Sequence, residues 1–295
     1  MNAVERPLLS ILLPVRNEEM NLRVMLRIIR TMLDCPHEVL VIHDTLDDRS
    51  IPVVQEAQPN YPRLRLVHNQ LGRGVVYAIR AGVAAATGDI VCILCADDTG
   101  PVLVVDDMLA LMREGCDFVS ITRYAYGGRR LGGSLVGGVL SRTANWLFRH
   151  VARSPFTDAT TGGKMFRRAL FERFQLESRP IGWAFAFEMA IKAQHLGLRL
   201  GEVPLVSIDR LFGGQSSFRV GAWLVEYLRW FTWGLREMYR RRAWRRPPVS
   251  VRVPVFYRAA PASDQQPAAA RQTSPQPEAE HRGAGQLVHS RMRAR

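Results

Sequence analysis

Short apolar runs alternate with helical patterns over the first 123 residues. LLSILLP (8–14) has the character of a buried strand. Asn17-Glu18-Glu19 then opens a helix whose apolar stripe is Leu22, Met25, Leu26, Ile29, Met32 and Leu33. EVLVIHD (38–44), LRLVHN (64–69), GDIVCILCADD (88–98) and DFVSITR (117–123) are four further strands. Helical segments are predicted between them at Pro52–Ala57, Val75–Ala86 and Pro101–Glu114. Strands and helices alternating at this spacing predict an α/β fold, a doubly wound and mostly parallel sheet.

After residue 124 the rhythm changes. A turn with Gly127, Gly128, Gly132 and Gly133 precedes a helix near Ser134–Val151, and a polar segment, TDATTGGKMF, follows. A helix at Phe185–Leu196 and a strand near Arg199–Ser207 come next, then a second helical region over 219–242. From Pro247 onward periodicity vanishes among Pro, Ala, Gln and Arg. Three parts are expected: a globular domain over 1–218, an amphipathic basic helix over 219–246 and a disordered basic tail over 247–295.

Charge sharpens this division. The net charge of +13 is carried mostly by residues 219–295, which hold 15 basic and 5 acidic residues. Basicity is therefore a C-terminal feature, which favours an anionic surface as partner. No run of eighteen uncharged apolar residues exists, and MNAVERPLLS lacks the pattern of a secretory signal. The Cys92/Cys95 pair lies inside an apolar strand, where positions three apart point to opposite faces, so a zinc site is not expected.

In a doubly wound sheet ligands bind at the carboxyl ends of the strands. The first strand ends in Pro14, Arg16, Asn17 and Glu18; the second in Asp44, with Asp47 and Asp48 beyond; the fourth in Asp97 and Asp98. Acids there suit a ribose or base edge and a divalent cation. Gly72-Arg73-Gly74 follows the third strand, where Arg73 suits a diphosphate at a helix N-terminus. Neither a GxGxxG fingerprint after the first strand nor a P-loop is present.

Taken together, LLPVRNEE, VIHD with Asp47-Asp48, LGRGVVYAIRAGVAAATGD and the acidic fourth-strand end resemble an inverting family 2 glycosyltransferase of the GT-A fold. ITRY, SRTAN (141–145), TDATTGGKMFRR (157–168), FAFEMAIKAQHLGLRLGEVPL (185–205) and DRLFGGQSSF (209–218) resemble its dolichol-phosphate or polyprenyl-phosphate mannosyltransferase (or glucosyltransferase) branch. The resemblance runs over roughly residues 8–220 and makes 1–218 the catalytic domain.

It implies a hexose carried from a nucleotide sugar, of the GDP-mannose or UDP-glucose type, to a polyprenyl-phosphate lipid. It implies a Mg2+ or Mn2+ ion on Asp97 and Asp98, although the first acid of the branch's usual Asp-x-Asp is here Cys95. Pro14, Arg16, Asn17, Glu18, Asp44, Asp47 and Arg73 are the expected nucleotide contacts. Asp97, Arg123, Arg142 and Glu188 are the expected catalytic set, the two arginines holding the acceptor phosphate and Glu188 meeting the sugar or a positioning arginine. In the last motif Ser217 stands where the branch usually has Lys.

On a helix over 219–242, Arg219, Glu226, Arg229, Arg236, Glu237 and Arg240 share one arc. Trp223 and Trp230 flank it, and Leu224, Leu228, Phe231, Leu235 and Met238 occupy the rest. This pattern and the Arg240–Arg246 cluster predict an interfacial helix on an anionic membrane, at its cytoplasmic face. No nucleic-acid partner is expected. Two alternatives stand beside this expectation: a GT-A enzyme with a non-phosphate acceptor, and a degenerate nucleotide-sugar-binding protein.

Overall fold

A computed structural model describes residues 8–132, 135–208, 220–241 and 249–258. The first half runs β1 (Leu9–Pro14), α1 (Glu19–Met32), β2 (His37–His43), α2 (Ser50–Ala57), β3 (Leu64–His68), α3 (Val75–Ala85), β4 (Ile90–Ile93), α4 (Val105–Arg113) and β5 (Phe118–Thr122). The second half runs β6 (Arg129–Leu131), α5 (Leu135–Val151), β7 (Lys164–Arg167), α6 (Ala184–His195), β8 (Leu200–Pro204), β9 (Val206–Ile208), α7 (Val220–Arg240), β10 (Val251–Arg252) and α8 (Val255–Arg258).

Eight strands form one sheet in the order β10-β8-β5-β7-β4-β1-β2-β3, with β6 and β9 paired separately. All neighbours are parallel except β7, which runs antiparallel to both β4 and β5. Both sheet faces are covered, which is why the central strands β1, β2, β4 and β5 are rich in apolar residues on both faces. Ile11 and Leu13 point into one core with Met25 and Ile29 of α1 and Leu109 of α4. Leu12 points the other way, into a second core with Ile79 of α3, Phe148 of α5, Phe185 of α6 and Trp230 of α7.

Three expectations change. TDATTGGKMF is more than a polar connection: its last residues enter the sheet as β7, and Met165 and Phe166 fill opposite cores. The fourth strand ends at Ile93, well before Asp98, because a turn closes from the Asp98 N–H to the Cys95 carbonyl at 3.3 Å. Part of the stretch expected as a disordered tail is structured, over residues 249–258. β10 pairs with β8, Val253 is buried, and the Tyr257 hydroxyl donates to Asp107 at 2.6 Å. The DRLFGGQSSF motif with Ser217, Arg219, the Arg242–Arg246 cluster and the tail from 259 lie outside the described residues.

Helix α7 forms, but its expected polar arc divides. Glu226 and Glu237 turn inward with Trp230 and Met238, whereas Leu224, Val225 and Leu228 face outward. Burial of the acids is tolerated because each is paired where it lies. Glu226 accepts from Arg229 at 2.9 Å, and Glu237 from Arg240 at 2.7 Å and from Arg241 at 2.5 Å.

Candidate active site

The parallel strands bring their carboxyl ends to one edge, so Pro14, Asp44, Asp97 and Arg123 lie along the same rim. The β1 end is shaped by Asp48, a residue outside the expected contact set. Its buried carboxylate accepts the Asn17 N–H at 3.1 Å and the Ser50 N–H at 2.8 Å. Asn17 takes a left-handed φ of 55°, which Asn tolerates. Its Oδ1 accepts the Arg49 N–H at 3.1 Å, and the Glu18 N–H reaches Ser50 at 2.9 Å. Arg16 and Asn17 are thereby left exposed on a fixed loop.

Asp44 holds the glycine turn. Its Oδ2 accepts the Gly74 N–H at 2.9 Å and its Oδ1 accepts from Asn69 at 2.7 Å; Asn69 also donates to the Gly72 carbonyl at 2.6 Å. Gly74 needs to be glycine: its φ is 122°, and a methyl group there would meet Pro180 Cβ at 2.6 Å. Arg73, exposed at the turn's centre, lies near Asp47. The Asp47 carboxyl is held below its ordinary value first by the Thr45 hydroxyl and, to a lesser degree, by the Arg73 charge.

Between β4 and β5 the floor is built by residues 157–163, because β7 enters the sheet with Lys164 opposite Ile93 and Ser120. Asp158, fully buried there, takes the Arg123 fork: Nε to Oδ2 at 2.6 Å and Nη2 to Oδ1 at 3.0 Å. Asn145 and Thr160 add hydrogen bonds to the same carboxylate at 3.2 and 3.1 Å. Burial pushes the Asp158 carboxyl up, but the Arg123 charge and hydrogen bonds prevail and hold it below its ordinary value. Beneath it Lys164 donates to Ser120 at 2.7 Å, and burial brings its ammonium down to about 7.

These contacts place Arg123 in the floor. Its side chain is 15% exposed, and its Nε and Nη2 bind Asp158, so it braces the floor from the β5 end. Arg142 differs. It is exposed on α5 with its guanidinium 5.3 Å from the Tyr124 ring centre, and Arg123 lies 5.2 Å from the same ring. The Tyr124 hydroxyl donates to Ser141 at 2.9 Å, tying the β5 end to α5.

Glu188 lies farther inside. It is fully buried on α6, accepts the backbone N–H groups of Glu177 at 2.6 Å and Ser178 at 2.8 Å, and pairs with Lys192 at 2.7 Å. In this arrangement its carboxylate anchors the loop that begins at Glu177. A helix-face acid gives no sign in sequence of whether backbone amides will occupy it.

Asp97 and Asp98 are half-buried beyond β4. Asp98 accepts the Gly100 N–H at 3.1 Å and the Ser207 hydroxyl at 2.6 Å, which ties this turn to β9. Among the described residues no group of three His, Cys, Asp or Glu could hold a metal on protein ligands alone. The donor set suits an ion of the Mg2+ kind, which commonly uses one or two carboxylates and completes its shell with substrate phosphates and water.

Fold and rim together define an α/β protein with the GT-A arrangement. The chain matches the Glycosyl transferase family 2 over residues 10–174, more than half of its length, and it belongs to that family. It is 26% identical over 238 residues to a dolichol-phosphate mannosyltransferase of Pyrococcus furiosus, covering 80% of this chain and 64% of that protein. It is 28% identical over 204 residues to glycosyltransferase AglD of Haloferax volcanii, covering 66% of this chain and 32% of that protein. The chain thus spans less than two thirds of either relative. Among solved structures, glucosyl-3-phosphoglycerate synthase of Mycobacterium tuberculosis, in complex with Mn2+, UDP and glucosyl-3-phosphoglycerate, superposes with a TM-score of 0.60. The match has 20% identity and covers 79% of this chain and 81% of that one, a likeness of fold.

Proposed function

We propose that this protein is an inverting glycosyltransferase that moves mannose or glucose from a nucleotide sugar to a polyprenyl phosphate, at the cytoplasmic face of a membrane. The observation that carries the acceptor half is Arg142, stacked on Tyr124 beside the β5 end, on a helix whose outer face is apolar. Leu135, Val139, Trp146 and Val151 of α5 are exposed, as are Leu224, Val225 and Leu228 of α7. α5 and α7 are neighbours, for Phe148 and Phe231 rings lie 5.9 Å apart. A phosphate near such a surface, met by a cation, is what a lipid phosphate presents. No helix of the described residues is long and apolar enough to cross a membrane.

On the donor side, the Pro14–Glu18 loop, Asp44, Asp47 and Arg73 receive the nucleotide. Asp97 would hold Mg2+ or Mn2+ with the diphosphate; such an ion neutralises the leaving diphosphate. The acceptor phosphate is already ionised at neutral pH, so it needs orientation more than a strong base. Arg123 and Asp158 keep the floor and Tyr124 in place while Arg142 orients the phosphate.

GDP-mannose and UDP-glucose, each offered with a short polyprenyl phosphate, test the reading directly. Product is expected from one donor. Arg142→Lys is expected to raise the acceptor KM about tenfold and leave the donor KM unchanged, since the planar fork is lost. Transfer only to a soluble phosphorylated acceptor would replace the lipid with a small molecule, and nucleotide binding without transfer to any acceptor would favour the degenerate binding protein. Separately, Trp146→Glu with Leu228→Glu is expected to reduce sedimentation with anionic liposomes at least about tenfold, because two apolar anchors become charges. Unchanged sedimentation would remove the membrane from the proposal.

A further inference from the structure

We propose that residues 177–183 wall the donor pocket and that Glu226, on surface helix α7, is a positioning residue that sets how tightly the donor is held. The inference rests on the function proposed above and concerns a segment and a residue that lie outside the expected site.

The segment spans two parts of the rim. At one end Pro180 presses on the glycine turn: a methyl group at Gly74 would lie 2.6 Å from its Cβ and 3.1 Å from its carbonyl oxygen. At the other end the Trp183 ring meets the end of β4. A methyl group at Gly162 would lie 2.8 Å from that ring and 3.0 Å from Cys95 Sγ. The four residues Pro180–Trp183 thus link the turn that carries Arg73 with the turn after β4 that leads to Asp97. A hexose diphosphate lying between those two points has this segment as its side wall, with the half-buried Trp183 at one end of it. Aromatic faces are suited to the apolar C–H surface of a sugar.

The wall has little regular structure, and carboxylates hold it instead. Glu188 of α6 takes the Glu177 and Ser178 N–H groups, and Glu226 of α7 takes the next one, Arg179, at 3.1 Å. Glu226 is buried to 1% exposure and has a single charge partner, Arg229 at 2.9 Å, among the ion pairs of the described residues. A buried carboxylate aimed at the backbone of a neighbouring loop fixes that loop strongly, because hydrogen bonds to a charge are about twice as strong as neutral ones. The same helix turns Leu224, Val225 and Leu228 outward, so the donor wall is pinned from a helix that also forms the molecular surface.

Two measurements on the full chain test this. Hydrogen exchange is followed with UDP or GDP plus Mn2+, and the amides of 178–183 are expected to exchange more slowly in the nucleotide complex. In steady-state kinetics Glu226→Ala is expected to raise the nucleotide-sugar KM about tenfold, the loss of one charge-assisted hydrogen bond, with kcat within about twofold of wild type. Glu226→Gln, which keeps an oxygen for the Arg179 N–H, is expected to recover most of that loss. A general weakening of the fold would lower kcat as well and would not be rescued by Gln. The inference is overturned if nucleotide binds by calorimetry but leaves exchange at 178–183 unchanged, and this measurement decides the matter even if Glu226→Ala does not fold. It is overturned equally by a folded Glu226→Ala with the wild-type donor KM. If neither nucleotide binds, the proposed function falls and this inference falls with it.

Discussion

Asp97→Ala is expected to lower kcat by about three orders of magnitude and to abolish the Mn2+-dependent part of nucleotide binding. A cation at a leaving diphosphate is worth several kcal/mol in the transition state, and each 1.4 kcal/mol is about tenfold in rate. The β4 end offers few acids for that task. Cys95 stands where a first acid would help, and Asp98 already receives Gly100 N–H and the Ser207 hydroxyl. Asp98→Ala is the informative comparison. Its expected effect is loss of the tie to β9, about 1 kcal/mol of stability, with most of the turnover retained. Rates measured with Mn2+ and Mg2+, and calorimetry with and without metal, separate the two acids. Near wild-type turnover in Asp97→Ala would defeat the assignment, and a collapse in Asp98→Ala would move the ion to the neighbouring residue.

Asp158→Ala is expected to cost about 3–5 kcal/mol of stability, because removing one partner of a buried ion pair strands the other. The guanidinium of Arg123 would stay almost enclosed, with Nε losing its acceptor and Nη2 left only the Thr160 hydroxyl at 3.4 Å. Asn145 and Thr160 would lose the same acceptor. The effect reaches Lys164, since the Asp158 charge favours its protonated form. Total stabilities of domains are about 5–15 kcal/mol, so the loss is large enough to show as a shifted denaturant midpoint. Asp158→Asn preserves shape and part of the hydrogen bonding, and its midpoint is expected between the two. An unchanged midpoint in the Ala variant would mean that the floor is held by other contacts.

The donor half of the fold is legible in the sequence because its strands are short segments rich in apolar residues, separated by amphipathic helices. The polar ends of those strands pointed to the rim for the same reason. The acceptor half was harder to read. β7 is four residues long, with apolar character confined to Met165 and Phe166, and its neighbours are glycines and threonines. Nothing local distinguishes such a strand from a loop; its place follows from long-range pairing with β4 and β5. Arg123 and Glu188 were visible as charged residues in suggestive positions. Their partners, Asp158 and the amides of Glu177 and Ser178, come from other segments, and distant partners decide whether a charge faces solvent or a buried acceptor. Asp48 stands beside Asp47 in the sequence, but its role in fixing Asn17 depends on how two loops meet.

β4 and β5 are consecutive in the chain but not neighbours in the sheet, for β7 fills the gap between them. The order of synthesis then matters. A nascent chain emerging from the ribosome can pair β1, β2, β3 and β4 early, through contacts local enough to form quickly. The next position in the sheet has to wait until residues 164–167 are available, with β5 already made and held aside. Translation delivers the nucleotide-facing half first and the slot for β7 later, so a pause between residues 123 and 164 is expected to expose an unpaired β4 edge to neighbouring chains.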